Sequence, residues 1–248
     1  MMDEAETVCV CKKNIKSNTI IVGFPGHGLV GSIAAKYIVQ EMDMDVVGYI
    51  RSPKIPPLAV FLDGILAYPY RIYGKDGVGV SVLIGESPAP VNAYYYLANA
   101  ALNWADSTGA KEIICLDGFP DMPSTKSPVF LVKEKFIHSK ETEARLEEIK
   151  LPLPQTGYIG GLSGAILNES LLREIDGYAL LAGTVSQMPD PAGAAALIRV
   201  INRIKNLEID VEKLMQDGEK IRKSMQEFAD KTQQITDMTA GPRDIGYI

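Results

Sequence analysis

The sequence predicts an α/β protein: a three-layer α/β/α sandwich around a mixed, mostly parallel sheet, followed by a long C-terminal amphipathic helix. Three observations carry that expectation. Runs nearly continuous in Val, Ile and Leu at 19–24, 78–84 and 112–116 are the mark of strands covered on both faces. Helix-length apolar periodicity fills 28–40 and 91–105, and strand alternating with helix builds parallel βαβ units. A chain of 248 residues, 46% hydrophobic and 23% charged, has the composition of a globular protein that can bury a core without metals or disulfides.

Each element has a local reason. The strand 19–24 runs into a glycine-rich turn and then the helix 28–40. A further strand ends at Val47-Gly48-Tyr49-Ile50. Arg51 to Pro57 cannot be helical, because each proline lacks an N–H donor and restrains the residue before it, so this is a surface loop. Residues 65–73 and 78–84 flank Gly74-Lys75-Asp76-Gly77, a turn that reverses antiparallel strands and makes the sheet mixed. Charged side chains are sparse from 76 to 132 and crowd from 133 to 150, so 120–156 is compatible with an insertion carrying a helix from Glu141 to Lys150. Asp190 is a good N-cap and Pro191 a good first residue for a helix over 192–205.

Beyond it, Val211, Leu214, Ile221, Met225, Phe228 and Ile235 recur at spacings that put one apolar stripe on a charged helix. Such a stripe packs on its own domain or on another subunit; Leu214, Ile221, Met225 and Phe228 are its candidate oligomer contacts. The predicted division is an α/β domain over 1–206, the C-terminal helix over 207–237 and a flexible tail over 238–248.

Composition also excludes function classes. A net charge of -6 disfavours nucleic acid. The acidic N-terminus is unlike a signal peptide, and no stretch has the ~20 apolar residues of a membrane span, so a cytoplasmic protein with no membrane contact is expected. Cys9, Cys11 and Cys115 form neither a disulfide framework nor a spaced zinc site, and the two histidines, His27 and His138, have no nucleophile or ligand set at motif spacing. No cofactor or metal is expected.

The sharpest motif is Gly26-His27-Gly28-Leu29-Val30-Gly31, which satisfies G-x-G-x-x-G between a strand and a helix. Such glycines let a backbone approach a pyrophosphate held at the helix N-terminus. Arg51, at the end of the following strand, would suit the extra phosphate of NADP, where an acid would suit NAD. Close packing of a tight strand-to-helix turn needs the same glycines. Glu86 and Asp117 each follow a strand, so with Gly26, His27, Gly28, Gly31 and Arg51 they define a candidate ligand crevice for a small-molecule binder or a phosphorylase-like or NADP-dependent enzyme. Turn-making and helix capping are their alternative roles. Gly157 to Ala165 invites comparison with a serine elbow but lacks G-x-S-x-G.

Four blocks in order, Gly23-Phe24-Pro25-Gly26-x-Gly28 through Ala35, Gly85-Glu86-Ser87-x-Ala89-Pro90, Gly157-x-Ile159-Gly160-Gly161-Leu162-Ser163-Gly164 and Pro189-Asp190-Pro191-Ala192, resemble the proteasome assembly chaperone 2 family. The resemblance spans about residues 15–235. It implies a three-layer α/β/α sandwich similar to that of purine nucleoside phosphorylases, no enzymatic activity, and α-type proteasome subunits as partners of a homo-oligomer. It also implies a docking tail that ends in a hydrophobic residue, Tyr and any last residue. Tyr247 and Ile248 match; Gly246 departs from the hydrophobic position, with Ile245 one residue upstream.

Overall fold

The computed structural model describes residues 7–120, 128–184 and 188–239. Among the described residues, ten strands and seven α-helices follow one another: β1 (Val8–Cys11), β2 (Ser17–Gly23), α1 (Val30–Glu41), β3 (Asp45–Arg51), β4 (Val60–Leu62), β5 (Ile65–Ala67), β6 (Tyr70–Gly74), β7 (Gly79–Gly85), α2 (Tyr94–Thr108), β8 (Glu112–Pro120), β9 (Val129–Lys133), α3 (Lys140–Ile149), α4 (Gly161–Arg173), β10 (Asp176–Thr184), α5 (Pro191–Lys205), α6 (Glu212–Gln216) and α7 (Gly218–Thr239).

Eight strands form one sheet in the order β1-β3-β6-β7-β2-β8-β10-β9. Its centre, β7-β2-β8-β10, is parallel, and antiparallel strands flank it on both sides. The central strands read as continuous apolar runs because both faces are covered. Ile21, Ile114 and Leu180 point into a core beneath α1 and α5, while Ile20, Val22, Ile113 and Cys115 point into a core beneath α2 and α4. This is the three-layer α/β/α sandwich that the apolar runs predict.

Local signals place most boundaries. Asp190 caps α5 by accepting a hydrogen bond from the Gly193 amide at 2.9 Å, with Pro191 as the first helical residue. The Gly74–Gly77 turn joins β6 and β7 as an antiparallel hairpin, Tyr73 facing Val82. The strand expected over 65–73 is divided: Ile65–Ala67 turns back at Asp63-Gly64 onto Val60–Leu62 as a separate two-stranded hairpin, and only Tyr70–Gly74 joins the main sheet. Positive φ at Asp63 and Gly64 makes that turn, which the sequence reading passes over.

The C-terminal stripe begins inside the chain's own core. Leu214 on α6 is 1% exposed within the cluster beneath α5, and Ile221 and Met225 on α7 are half-buried against it. Asp217 and Gly218 divide the expected single helix into α6 and α7. The Phe228 side chain and the tail residues Ile245, Tyr247 and Ile248 lie outside the described residues. Among the described residues, no helix is long and apolar enough to cross a membrane.

Candidate functional site

The topology itself creates a cleft. From the C-terminal end of β2 the chain departs through α1 toward β3 on one side of the sheet; from β8 it departs toward β9 and β10 on the other. Adjacent parallel strands whose connections leave in opposite directions open a crevice beyond their carboxyl ends, the usual ligand position of open α/β sheets. A cleft of about 500 Å³ lies there. Its floor is Gly26 and His27 after β2 and Asp117 to Pro120 at the end of β8; α2, α4 and the loop before α4 build its walls.

Asp117 is the acidic group of that floor. Its Oδ1 accepts a hydrogen bond from the Gly118 amide at 2.8 Å, and its Oδ2 accepts one from Ser163 Oγ at 3.1 Å. Ser163, in the first turn of α4, is 4% exposed, so the carboxyl is aimed by a side chain that is itself fixed. Burial raises the Asp117 carboxyl above its ordinary range, against the opposing pull of the Gly118 amide, the Ser163 hydroxyl and nearby His27. Five aromatic residues, Phe24, Tyr70, Tyr94, Phe119 and Tyr158, line the walls among glycines, prolines and aliphatic side chains. Tyr70 donates to the Ser87 carbonyl at 3.0 Å, and burial pushes its phenol up to about 12.

The predicted crevice residues divide into two groups. Gly26, His27 and Asp117 come together as expected; a Cβ on Gly26 would collide with the Asp117 carboxyl. Gly28 and Gly31 serve packing. Gly28 holds a left-handed φ of 61° against Thr184, and Gly31 lets α1 touch the Leu116 carbonyl, where any Cβ would clash. Arg51 and Glu86 lie outside the cleft. A dinucleotide site needs Arg51 on the strand beside β2, but β6 and β7 intervene, so β3 lies three strands away. Glu86 is 4% exposed and pairs with Arg71 and Lys36. Strand alternation sends it to the α1 face, whereas Ser87, the next residue, lines the cleft.

Sequence reasoning missed the Asp117–Ser163 link, although the glycine-rich stretch that brings α4 to the cleft was visible. It also missed a second surface. The β4–β5 hairpin holds Phe61, Ile65 and Leu66 at 70%, 71% and 77% exposure, an apolar tip standing clear of the main sheet. Its base is anchored by Tyr68, which stacks on Tyr49 with ring centroids 3.7 Å apart. Among the described residues no group of three His, Cys, Asp or Glu side chains is placed to hold a metal ion.

Comparison with known proteins places this arrangement in a family. An uncharacterized protein of Methanocaldococcus jannaschii is 30% identical over 234 residues, 93% of each chain. Among solved structures, Pyrococcus furiosus PbaA, described as an archaeal homolog of proteasome-assembly chaperone, superposes with a TM-score of 0.81 at 28% identity over 93% of this chain and 99% of its own. A protein of unknown function from Thermoplasma acidophilum gives 0.82 at 30% identity, covering 93% of both chains. The PAC2 family model matches residues 20–229, so the chain belongs to the PAC2 family.

Proposed function

We propose that this protein is a non-enzymatic assembly factor that binds α-type proteasome subunits and works as a homo-oligomer in the cytoplasm. The observation that carries the reading is the likeness to PbaA along essentially the whole of both chains, at an identity that makes common descent of the surface as well as the fold a reasonable basis. The exposed apolar hairpin supports it, since monomeric proteins rarely display such residues together without a partner to cover them. In this reading the tail ending in Ile245, Tyr247 and Ile248 docks into a pocket of the α subunit. A phenol there contributes apolar area and one hydrogen bond, and a terminal carboxylate pairs with a lysine.

The test uses the full chain and purified cognate α subunits. Co-elution on size exclusion and saturable binding by interferometry are the expected results, and their absence overturns the function. Removing Gly246 to Ile248 is expected to weaken binding at least tenfold. Unchanged affinity in that variant leaves the partner in place and refutes the tail.

A further inference from the structure

The strand-end cleft has no part in the assembly reading, and its chemistry is selective. We propose that it is a binding site for an organic cation, an ammonium or guanidinium group on an apolar body, with Asp117 as the counter-ion. The size fits: about 500 Å³ is within the range of clefts that enclose a small molecule. Among the described residues that line it there is no Lys or Arg; the Asp117 carboxyl is on its floor, and His27 is exposed to solvent.

The inventory of described residues favours a cation over an anion. Phosphate and nucleotide sites rely on Arg or Lys beside backbone amides. Here the backbone nearest the glycine turn is already occupied, because Gly26 packs against the Asp117 carboxyl, which would repel an anion. The carboxyl is suited to a cation instead. Among the described residues each of its oxygens accepts one hydrogen bond, from a neutral donor. Rings of Phe24, Tyr94, Phe119 and Tyr158 line the same cleft, and aromatic faces attract ammonium and guanidinium groups. Burial that raises the Asp117 carboxyl is a cost that a bound cation would relieve.

Benzamidine, uncharged benzamide, anionic benzoate and inorganic phosphate, titrated calorimetrically into the full chain, test this. Benzamidine is expected to bind at least tenfold more tightly than the other three. Equal or tighter binding of benzoate or phosphate, or no binding of benzamidine at millimolar concentration, overturns the proposal. Asp117→Asn is expected to weaken benzamidine at least tenfold, and unchanged affinity overturns the counter-ion role. Tyr158, fully exposed, tolerates replacement even if the Asp117 variant does not fold. Tyr158→Ala should weaken benzamidine severalfold, and unchanged affinity refutes placement of the ligand in this cleft. A small guanidinium compound and a partner's arginine side chain present the same group. Agmatine matching N-acetylarginine amide assigns the site to small molecules, and a tenfold preference for the latter assigns it to a partner's side chain. Because none of these probes involves the proteasome, this proposal and the assembly reading fail independently.

Discussion

One strand carries two carboxyl groups in opposite circumstances. Glu112 opens β8 and Asp117 lies five residues on, toward its carboxyl end, so by strand alternation they face opposite sides of the sheet. Glu112 is enclosed by its own chain: Oε1 accepts from Tyr178 at 2.8 Å and Thr142 at 3.2 Å, and Oε2 accepts from Thr19 at 2.7 Å and from the Lys205 ammonium. Asp176 beside it accepts the His138 and Ser139 amides at 2.6 and 2.9 Å. Among the described residues Asp117 has two neutral donors, and a cleft lies before it. A satisfied buried carboxylate fastens elements together, and a partly satisfied one beside empty space is available to a ligand.

The contrast can be broken from either end. The largest effect is expected from Glu112→Gln, which leaves the largely enclosed Lys205 ammonium without its counter-charge; removing one partner of a buried pair costs about 3–5 kcal/mol, read from urea denaturation. A loss below about 1 kcal/mol would mean that Glu112 is no fastener. Next comes Gly31→Ala, which drives a methyl group into the Leu116 carbonyl just before Asp117 and should cost about 1–3 kcal/mol by the same measurement.

Asp117→Asn is a smaller effect with a pH signature. The carboxyl is raised on folding, so its contribution to stability is complete below the ordinary carboxylate range and is lost as pH rises through the folded value. Urea midpoints of wild type should therefore fall relative to the variant as pH rises from about 4. Parallel profiles would refute the burial of that charge. The smallest expected signal is chemical labelling of Cys115, which lies between the two carboxyls. Burial holds its thiol well above the usual range, so iodoacetamide should modify exposed Cys11 and leave Cys115 unlabelled until denaturant is added. Labelling in native buffer would show that β8 opens.

What the sequence discloses follows from the range of each interaction. Apolar runs and turn residues are local, so β2, β7, the β6–β7 turn and the Asp190 cap were readable. β10 was not, because Tyr178-Ala179-Leu180-Leu181-Ala182 between glycines lacks the β-branched residues that distinguish a buried strand from a helix. The Arg51 expectation failed through strand order, since no local pattern says that β6 and β7 insert between β3 and β2. Glu86 failed by one residue of alternation. Gly26 and Asp117 were placed together by a general rule of α/β sheets, whereas the Ser163 contact, 46 residues from Asp117, depends on how α4 approaches.

The same strand order has a consequence for synthesis. β2 is made well before either of its neighbours, yet it is central: Val22 pairs with Leu83 on one side and with Cys115 on the other, and Thr19 meets Glu112 across 93 residues. At about 5–20 residues per second, the ribosome delivers that second neighbour roughly 5–20 s after β2 is complete. Until β8 arrives, the β2 edge that carries Ile20, Ile21 and Val22 lacks its second partner strand, and the nascent sheet keeps an open edge.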